Sequence, residues 1–226
     1  MAKSKLSAKF AYPSDLVWSA ACAAYRINGG YFKTPLVNEE GKITKPSNRE
    51  LDTLYITEAG QQFITKEDRE QGEFCRKGLL RNVTLTILKK VNQGLSEWDA
   101  VTNRTASLET ITGLYELYVI TALPKSYYQL LERETSDSRL ARCDHVPVAP
   151  DGTRLELDVE VVRTNYSIKY NRYFVAGITP NNRSVFFAFG KRLPVGNRIK
   201  ICGRVKRYTG SATQFSRVKL VEQEAV

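Results

Sequence analysis

The fold class of this chain is decided by residues 154–222, which read RLELDVEVVRTNYSIKYNRYFVAGITPNNRSVFFAFGKRLPVGNRIKICGRVKRYTGSATQFSRVKLVE. Apolar and polar residues alternate through most of this segment with the two-residue period of half-buried strands, and turn signals separate the runs. The pattern predicts five strands, at residues 154–161, 172–179, 184–189, 198–206 and 217–220. Since no helical period interrupts them, we expect a small antiparallel barrel, which buries one face of every strand and leaves few free edges.

The positive charge of the protein is concentrated in the same segment. Residues 154–222 hold 14 Lys and Arg against 4 Asp and Glu, whereas the whole chain holds 34 against 24. The remainder of the chain therefore carries 20 of each and is neutral, and the entire net charge of +10 belongs to the predicted barrel. Such a surplus predicts a polyanionic partner, either a nucleic acid or an acidic membrane surface.

Aromatic residues are interleaved with these cations. A basic surface that carries flat rings suits a single-stranded nucleic acid, because cations follow the phosphates and rings stack on the bases. The alternative is that the rings form the barrel core and the cations lie on a solvated outer surface. The rings concerned are Tyr166, Tyr170, Tyr173, Phe174, Phe186, Phe187, Phe189, Tyr208 and Phe215.

The segment resembles the OB-fold in the order of its motifs. An Asn-Asn turn is followed by FFAFG, then by LPVGNRIKICGRVKRY, and a last strand ends in RVKLVE. The stretch GRVKRYTGSATQFSRVKL is also similar to the end of OB-like domains in bacteriophage replication proteins. The resemblance covers about 70 of the 226 residues, and it implies a five-stranded OB-like barrel in a single-stranded nucleic-acid-binding protein. OB-folds also bind oligosaccharides and proteins, so the fold does not by itself define the ligand.

These observations favour a sequence-tolerant single-stranded DNA-binding protein of the phage DNA replication or recombination type. We expect bases to stack on the outer face of the second and third strands, and phosphates to follow the fourth strand. Which side of strand 184–189 faces outward is undecided, so Phe186 is the alternative to Phe187. The predicted nucleic-acid-binding residues are Lys169, Tyr170, Arg172, Tyr173, Arg183, Phe187, Lys191, Arg192, Lys200, Arg204, Lys206, Arg207 and Tyr208.

Residues 1–134 predict a mostly helical N-terminal domain, so the fold class is α+β, with a linker at 135–153 and the barrel at 154–226. Capping residues predict helices from Ser14 to Asn28, from the Ser47 capping box, from Thr65 toward Leu88, and after Ser96. Residues 115–123 suit either a strand or a buried helix, and a further helix is expected to begin at Pro124 and run through Leu131. The N-terminal arm carries Lys3, Lys5 and Lys9, which are expected to fray or to contact phosphate.

Catalysis is not expected, because the chain lacks the common nucleotide-binding, hydrolase and metalloprotease motifs. Cys143 and the single histidine, His145, are too few for a zinc site and carry little weight as a nucleophile pair. The acids Glu156, Asp158 and Glu160 share one face of the first strand, where they pair with cations of a neighbouring strand or, alternatively, hold Mg²⁺ in a nuclease. We therefore predict no metal and no cofactor.

Four dispersed cysteines and the absence of a signal peptide or membrane-length apolar run predict a cytoplasmic protein, in the host cytoplasm if the protein is viral. The rival function is a non-catalytic adaptor or structural subunit of a nucleoprotein or polymerase complex. In that case the helical domain would self-associate or hold replication proteins. DNA and RNA are not separable from sequence, because stacking and phosphate contacts serve both polymers.

Overall fold

The computed structural model describes residues 11–89 and 94–224, so Lys3, Lys5 and Lys9 of the predicted arm lie outside the described residues. The chain divides into two compact units, Met1–Leu130 and Leu131–Val226. The first is mostly helical and the second contains a closed five-stranded barrel. A mixed helical and β-sheet class, with the helices concentrated in the N-terminal part, is therefore confirmed.

Five helices account for most of the first unit, and the last of them continues into the second unit. They are α1 (Ser14–Asn28), α2 (Asn48–Tyr55), α3 (Lys66–Lys89), α4 (Glu97–Ala106) and α5 (Leu114–Ala141). Two small antiparallel pairs accompany them: β1 (Tyr12–Pro13) with β4 (Thr110–Ile111), and β2 (Leu36–Val37) with β3 (Ile43–Lys45).

Helix α1 forms the centre of the first unit because its side chains are small. Ala20, Ala21, Ala23 and Ala24 are fully buried, together with larger residues from α2, α3 and α5. The close approach is visible at Gly72 of α3, where an added Cβ atom would lie 2.9 Å from the backbone of α1. This unit therefore has a hydrophobic core of its own.

The predicted caps are confirmed at α2 and α4, whereas Ser14 is the first residue of α1 and makes no side-chain cap hydrogen bond. Ser47 and Glu50 form a reciprocal capping box at α2, and Ser96 accepts a hydrogen bond from the Asp99 N–H at α4. Helix α1 ends at Gly29, whose φ of 67° is the left-handed conformation that glycine adopts without a steric penalty.

Helix α5 differs from the sequence prediction in two ways. Residues 115–123, which suited either a strand or a helix, are helical, and the helix does not begin at Pro124 but passes through it. Proline removes one backbone hydrogen bond from a helix, and burial of Leu117, Ile120 and Leu123 around this point offsets the loss. Residues 135–141 of the expected linker are also helical.

The five predicted barrel strands are all present, but the first extends six residues past its predicted end and the fifth extends four residues beyond the prediction at each end. They are β5 (Arg154–Ser167), β6 (Arg172–Ile178), β7 (Ser184–Phe189), β8 (Arg198–Tyr208) and β9 (Thr213–Glu224). They close in the order β5-β6-β7-β9-β8, with β8 pairing back onto β5.

The prediction of a purely antiparallel barrel is wrong at one pair of strands. β7 and β9 run parallel, with Val185, Phe186 and Phe187 opposite Thr213, Gln214 and Phe215. The physical reason is the odd number of strands. Directions that alternate around a closed ring of five must repeat once, so at least one neighbouring pair has to be parallel.

The barrel has a separate core, which comes from the inward side of each strand. Val159, Val175, Phe187, Ile201 and Phe215 are each at most 5% exposed. Val218 and Leu220 pack against this cluster as predicted. Leu193, in the connection between β7 and β8, is also buried in it, and its carbonyl accepts a hydrogen bond from Thr164 Oγ1 (2.7 Å).

Candidate nucleic-acid interface

The outward side of β6 and β7 is defined by their register. Val175 lies opposite Phe187, and both side chains are buried in the barrel core. Because successive side chains of a strand point to opposite faces, Phe174 and Phe186 face outward. The two strands therefore present phenyl rings on the outer wall, where sequence analysis placed a different pair.

These outward rings form a continuous aromatic group. The Phe174 and Phe186 rings are stacked with 5.7 Å between centroids and an interplanar angle of 5°. The ring of Tyr170, from the turn that joins β5 to β6, makes a T-shaped contact with Phe174, with 5.7 Å between centroids and an interplanar angle of 87°. Tyr170 is 59% exposed. We call Tyr170, Phe174 and Phe186 the aromatic strip.

Two predicted stacking residues are not on the outer wall. The Phe187 ring is 1% exposed in the core, so it cannot stack on a base. Tyr173 has the inward parity of Val175, is half-buried, and packs on Tyr166 with 5.0 Å between centroids. Arg172 and Tyr173 are consecutive and therefore cannot share a face of one strand. The Phe187 prediction is thus replaced by its alternative, Phe186.

Cationic groups border both ends of the aromatic strip. At one end, the Lys169 ammonium lies 5.5 Å from the centre of the Tyr170 ring. At the other, Gln214 is the register partner of Phe186, and it accepts a hydrogen bond from Arg207 Nε (3.1 Å). Gln214 is also the register partner of Arg207 across β8 and β9, so the guanidinium is held beside the strip. Tyr208, the next residue, turns its hydroxyl to the carbonyl of Gly210 (2.9 Å).

Several further cations of the barrel are free of competing partners. Several exposed basic side chains of the barrel make no ion pair or side-chain hydrogen bond with any residue that the structure describes. They include Arg172, Lys191, Arg192, Lys206, Arg217 and Lys219. A phosphate that binds them would not have to displace a carboxylate.

Two other predicted phosphate-binding residues are already engaged in the barrel, and a third, Lys200, lies opposite a carboxylate. Arg183 donates to the carbonyls of Pro147 (2.9 Å) and Val148 (3.3 Å). Arg204 donates from Nε to the carbonyl of Gly152 (2.9 Å), and Lys200 lies opposite Asp158 in the β5–β8 register. The structure therefore does not bring these three together with the aromatic strip.

Two acidic residues of β5 face cations of β8. Asp158 and Glu160 are register partners of Lys200 and Arg198. Glu160 also accepts from Arg139 of α5 (2.9 Å), and Asp137 of α5 pairs with Arg163. Among the described residues, no group of three acidic, histidine or cysteine side chains is placed to hold a metal ion.

Cys143 and His145 do not form a nucleophile pair in this structure. The Cys143 thiol is buried and donates to the carbonyl of Arg139 (3.6 Å), whereas His145 is exposed. Burial raises the pKa of Cys143, which disfavours the reactive thiolate.

Phe174, Gln214 and Arg217 are not among the residues that the sequence predicts to bind nucleic acid. Alternation gives no local signal at Phe174, since Phe174 and Val175 are both apolar, or at Phe186 against Phe187, since Phe occupies both positions. Arg217 is distinctive only through its backbone conformation, with φ of 53°.

Comparison with known proteins gives no match to a family model, to a curated protein or to a solved structure. Among the described residues, no helix combines the length and the apolar character that a bilayer crossing requires.

Proposed function

We propose that the barrel binds single-stranded DNA without sequence preference, through the outer face of β6 and β7. The observation that carries this proposal is the aromatic strip of Tyr170, Phe174 and Phe186, with Lys169 at one end and Arg207 at the other. Rings of this kind accept any base on their faces, and the neighbouring cations attract the phosphates.

The topology of the barrel supports the same proposal. The parallel pairing of its third and fifth strands and its closure by the fourth are compatible with an OB-like fold. OB-folds hold oligonucleotides on their second and third strands, between the loops that join strands one to two and four to five. In this chain those elements are β6, β7 and the turns at residues 168–171 and 209–212. The aromatic strip lies on three of them: β6, β7 and the turn at residues 168–171.

The energies expected of such a surface are sufficient for binding. A stacked base contributes roughly 1–3 kcal/mol, so two or three stacked bases account for a substantial part of a micromolar affinity. Each phosphate neutralised on a single strand lowers the logarithm of the binding constant by about 0.7 per tenfold rise in salt. The free cations bordering the strip are the groups that would produce this dependence.

The test is binding of a fluorescently labelled oligo(dT) to the full chain, measured by anisotropy between about 50 and 200 mM salt. We expect saturable binding that weakens steeply as salt rises, with unlabelled single strands competing better than a duplex of the same length. Absence of binding at the lowest salt, or an affinity that is independent of salt, would contradict the proposal.

The same groups suit RNA, since neither stacking nor phosphate contact requires a deoxyribose. An oligo(U) competitor in the anisotropy assay compares the two polymers directly. We propose DNA as the ligand and a role in phage DNA replication or recombination on the resemblance of residues 154–222 alone. Equal or better competition by oligo(U) would move the assignment to RNA.

A second candidate function, recruitment of a partner by the helical unit, is favoured by exposed apolar side chains on α3 and α4. Phe74, Leu88 and Trp98 are 57%, 67% and 47% exposed. We propose a second copy of the chain as the partner, with replication proteins as the other candidates. Sedimentation of the full chain should show a dimer that Leu88→Glu dissociates, and a monomer at every concentration would contradict this.

A further inference from the structure

A cleft of about 500 Å³ opens in the barrel wall where β7 and β9 separate. The parallel pairing of these strands covers three residue pairs and ends at Phe187 opposite Phe215. β7 continues to Phe189 along β6, while β9 continues along β8. Beyond Phe187, β9 is therefore no longer the neighbour of β7, and a gap lies between them.

A β-bulge in β9 accounts for the separation. Ser216 pairs with Arg204 and Lys219 pairs with Cys202, so Arg217 and Val218 together oppose the single residue Gly203. A bulge of this kind bends its strand and increases its twist. The first bulged residue, Arg217, has a φ of 53°, a left-handed conformation that glycine adopts at lower energy.

The lining of the cleft is mainly polar and positively charged, with a smaller apolar part. Arg172 and Arg217 line it, and neither makes an ion pair among the described residues. Tyr170, Phe189 and Val218 supply the apolar surface, and none of the described residues that line it is acidic. Such a lining suits a ligand that carries an anionic group at one end and a flat apolar group at the other.

The cleft also adjoins the aromatic strip. Tyr170 belongs to both, because its ring contacts Phe174 and the same residue lines the cleft. Arg172 lies two residues from Phe174 on the same face of β6, because strand residues two apart point to the same side. A strand of nucleic acid that lies on the aromatic strip would therefore reach the cleft within one or two nucleotides.

We propose that this cleft binds one nucleotide unit of the single strand, with its phosphate between Arg172 and Arg217 and its base against Tyr170. The proposal rests on the proposed function and adds to it a discrete nucleotide subsite. Two guanidinium groups form paired, charge-assisted hydrogen bonds to phosphate oxygens. Arg217 has a backbone conformation that favours glycine and is therefore strained. This strain is consistent with a binding role, because backbone strain concentrates at functional sites.

The experiment compares three variants of the full chain in the oligo(dT) anisotropy assay. Arg217→Gln removes the cation, and Arg217→Gly removes the cation and also the backbone strain at this position. Lys219→Gln is the control, because Lys219 is a cation of the same strand that does not line the cleft. We expect both Arg217 variants to weaken binding about tenfold or more, and Lys219→Gln to weaken it about twofold or less. We also expect Arg217→Gly to melt at the same temperature as the parent or higher.

A second measurement separates the subsite from the wider function. Backbone amide chemical shifts are recorded while dTMP, thymidine or inorganic phosphate is added. We expect dTMP to shift amides of residues 170–172, 188–190 and 217–218 at lower concentration than either fragment alone.

The outcomes of the two measurements are distinguishable. If the protein binds oligo(dT) and the affinity falls equally in Arg217→Gln and Lys219→Gln, the subsite is overturned and the proposed function is not. Cleft shifts with dTMP, but no binding of oligo(dT), would support the subsite and overturn the proposed function. If inorganic phosphate acts as well as dTMP, the nucleotide subsite is overturned, and if Arg217→Gly destabilises the fold, the argument from backbone strain at Arg217 is overturned.

Discussion

Phe186 and Phe187 are consecutive, yet their rings lie on opposite sides of the barrel wall. Phe187 is 1% exposed in the core, and Phe186 is stacked on Phe174 with 5.7 Å between centroids on the outer side. Two residues of the same type and neighbouring number are thus expected to have different roles. Phe186 belongs to the proposed binding surface, and Phe187 stabilises the barrel.

This pair supplies the sharpest mutational test. Phe186→Ala should lower the affinity for oligo(dT) by about 1–3 kcal/mol, because a stacked base loses its partner. It should lower the free energy of unfolding by only about 1 kcal/mol, because the Phe174 ring loses its stacking partner. Anisotropy and thermal melting measure the two effects.

The matched control is Phe187→Leu, which keeps an apolar side chain in the core. We expect it to cost about 1–2 kcal/mol of stability through a small cavity, and to leave the affinity of the folded protein unchanged. If Phe187→Leu weakened binding as much as Phe186→Ala, the outer face would not be the binding surface.

The salt dependence of binding should identify the cations that contact phosphate. The double variant Lys206→Gln/Arg207→Gln should reduce the slope of log K against log salt by up to about 1.4, which is about 0.7 for each phosphate that is no longer neutralised. Lys200→Gln, opposite Asp158 in the register, removes the same kind of charge from the same strand. We expect that control to leave the slope unchanged, and an equal reduction would contradict the assignment.

Asp52 should make the stability of the helical unit depend on pH. The carboxyl is completely buried, and its Oδ2 contacts Thr121 Oγ1, which is also 2.9 Å from the carbonyl of Leu117. The Thr121 hydroxyl has one proton, which it cannot donate to both the Asp52 carboxylate and the Leu117 carbonyl. Both contacts are satisfied when Asp52 is protonated and donates to Thr121, so that Thr121 donates to Leu117. Burial accordingly raises the pKa of Asp52 to about 8, although the Thr121 contact opposes the rise.

The direction of the pH effect follows from proton binding. The unfolded carboxyl has a pKa near 4, so between about pH 4 and 8 the folded state binds one proton more than the unfolded state. Stability should therefore fall as pH rises through this window, by up to about 1.4 kcal/mol per pH unit from this group. In Asp52→Asn the amide donates to Thr121 at every pH, so urea unfolding from pH 5 to 8 should show a flatter profile. Parallel profiles would contradict a protonated Asp52.

The four cysteines should differ in reactivity. Cys22 of α1 and Cys75 of α3 lie 3.8 Å apart between their sulfur atoms, and both are buried, as is Cys143. The hydrogen bond with Cys75 and burial raise the pKa of Cys22 far above its ordinary range. Cys202 alone is partly exposed.

Titration of the native protein with an aromatic disulfide reagent checks this order. One thiol, Cys202, should react promptly, and the remaining three should react only in denaturant. Cys202→Ser should abolish the fast phase. Fast reaction of a second thiol in the native protein would contradict this order, and fast reaction of Cys22 or Cys75 would show that α1 and α3 open in solution.

The sequence by itself determined the strands of the barrel, most helix caps and the location of the surplus charge. Alternation with period two and capping residues act over a few neighbouring positions, so they can be recognised without knowing what packs where. Helix α5 is the local element that these patterns did not predict correctly. Its continuation through Pro124 depends on the burial of Leu117, Ile120 and Leu123. Propensity alone would have ended the helix there.

Only the tertiary structure decided which side of each strand faces solvent and which cations are free. The choice between Phe186 and Phe187 depends on the register of β7 against β6 and β9, and the parallel β7–β9 pair follows from closing a ring of five strands. Arg183 and Arg172 are equally basic in the sequence, but Arg183 donates to Pro147 and Val148 while Arg172 lines an open cleft. These distinctions depend on contacts between residues far apart in the chain, which a local pattern does not encode.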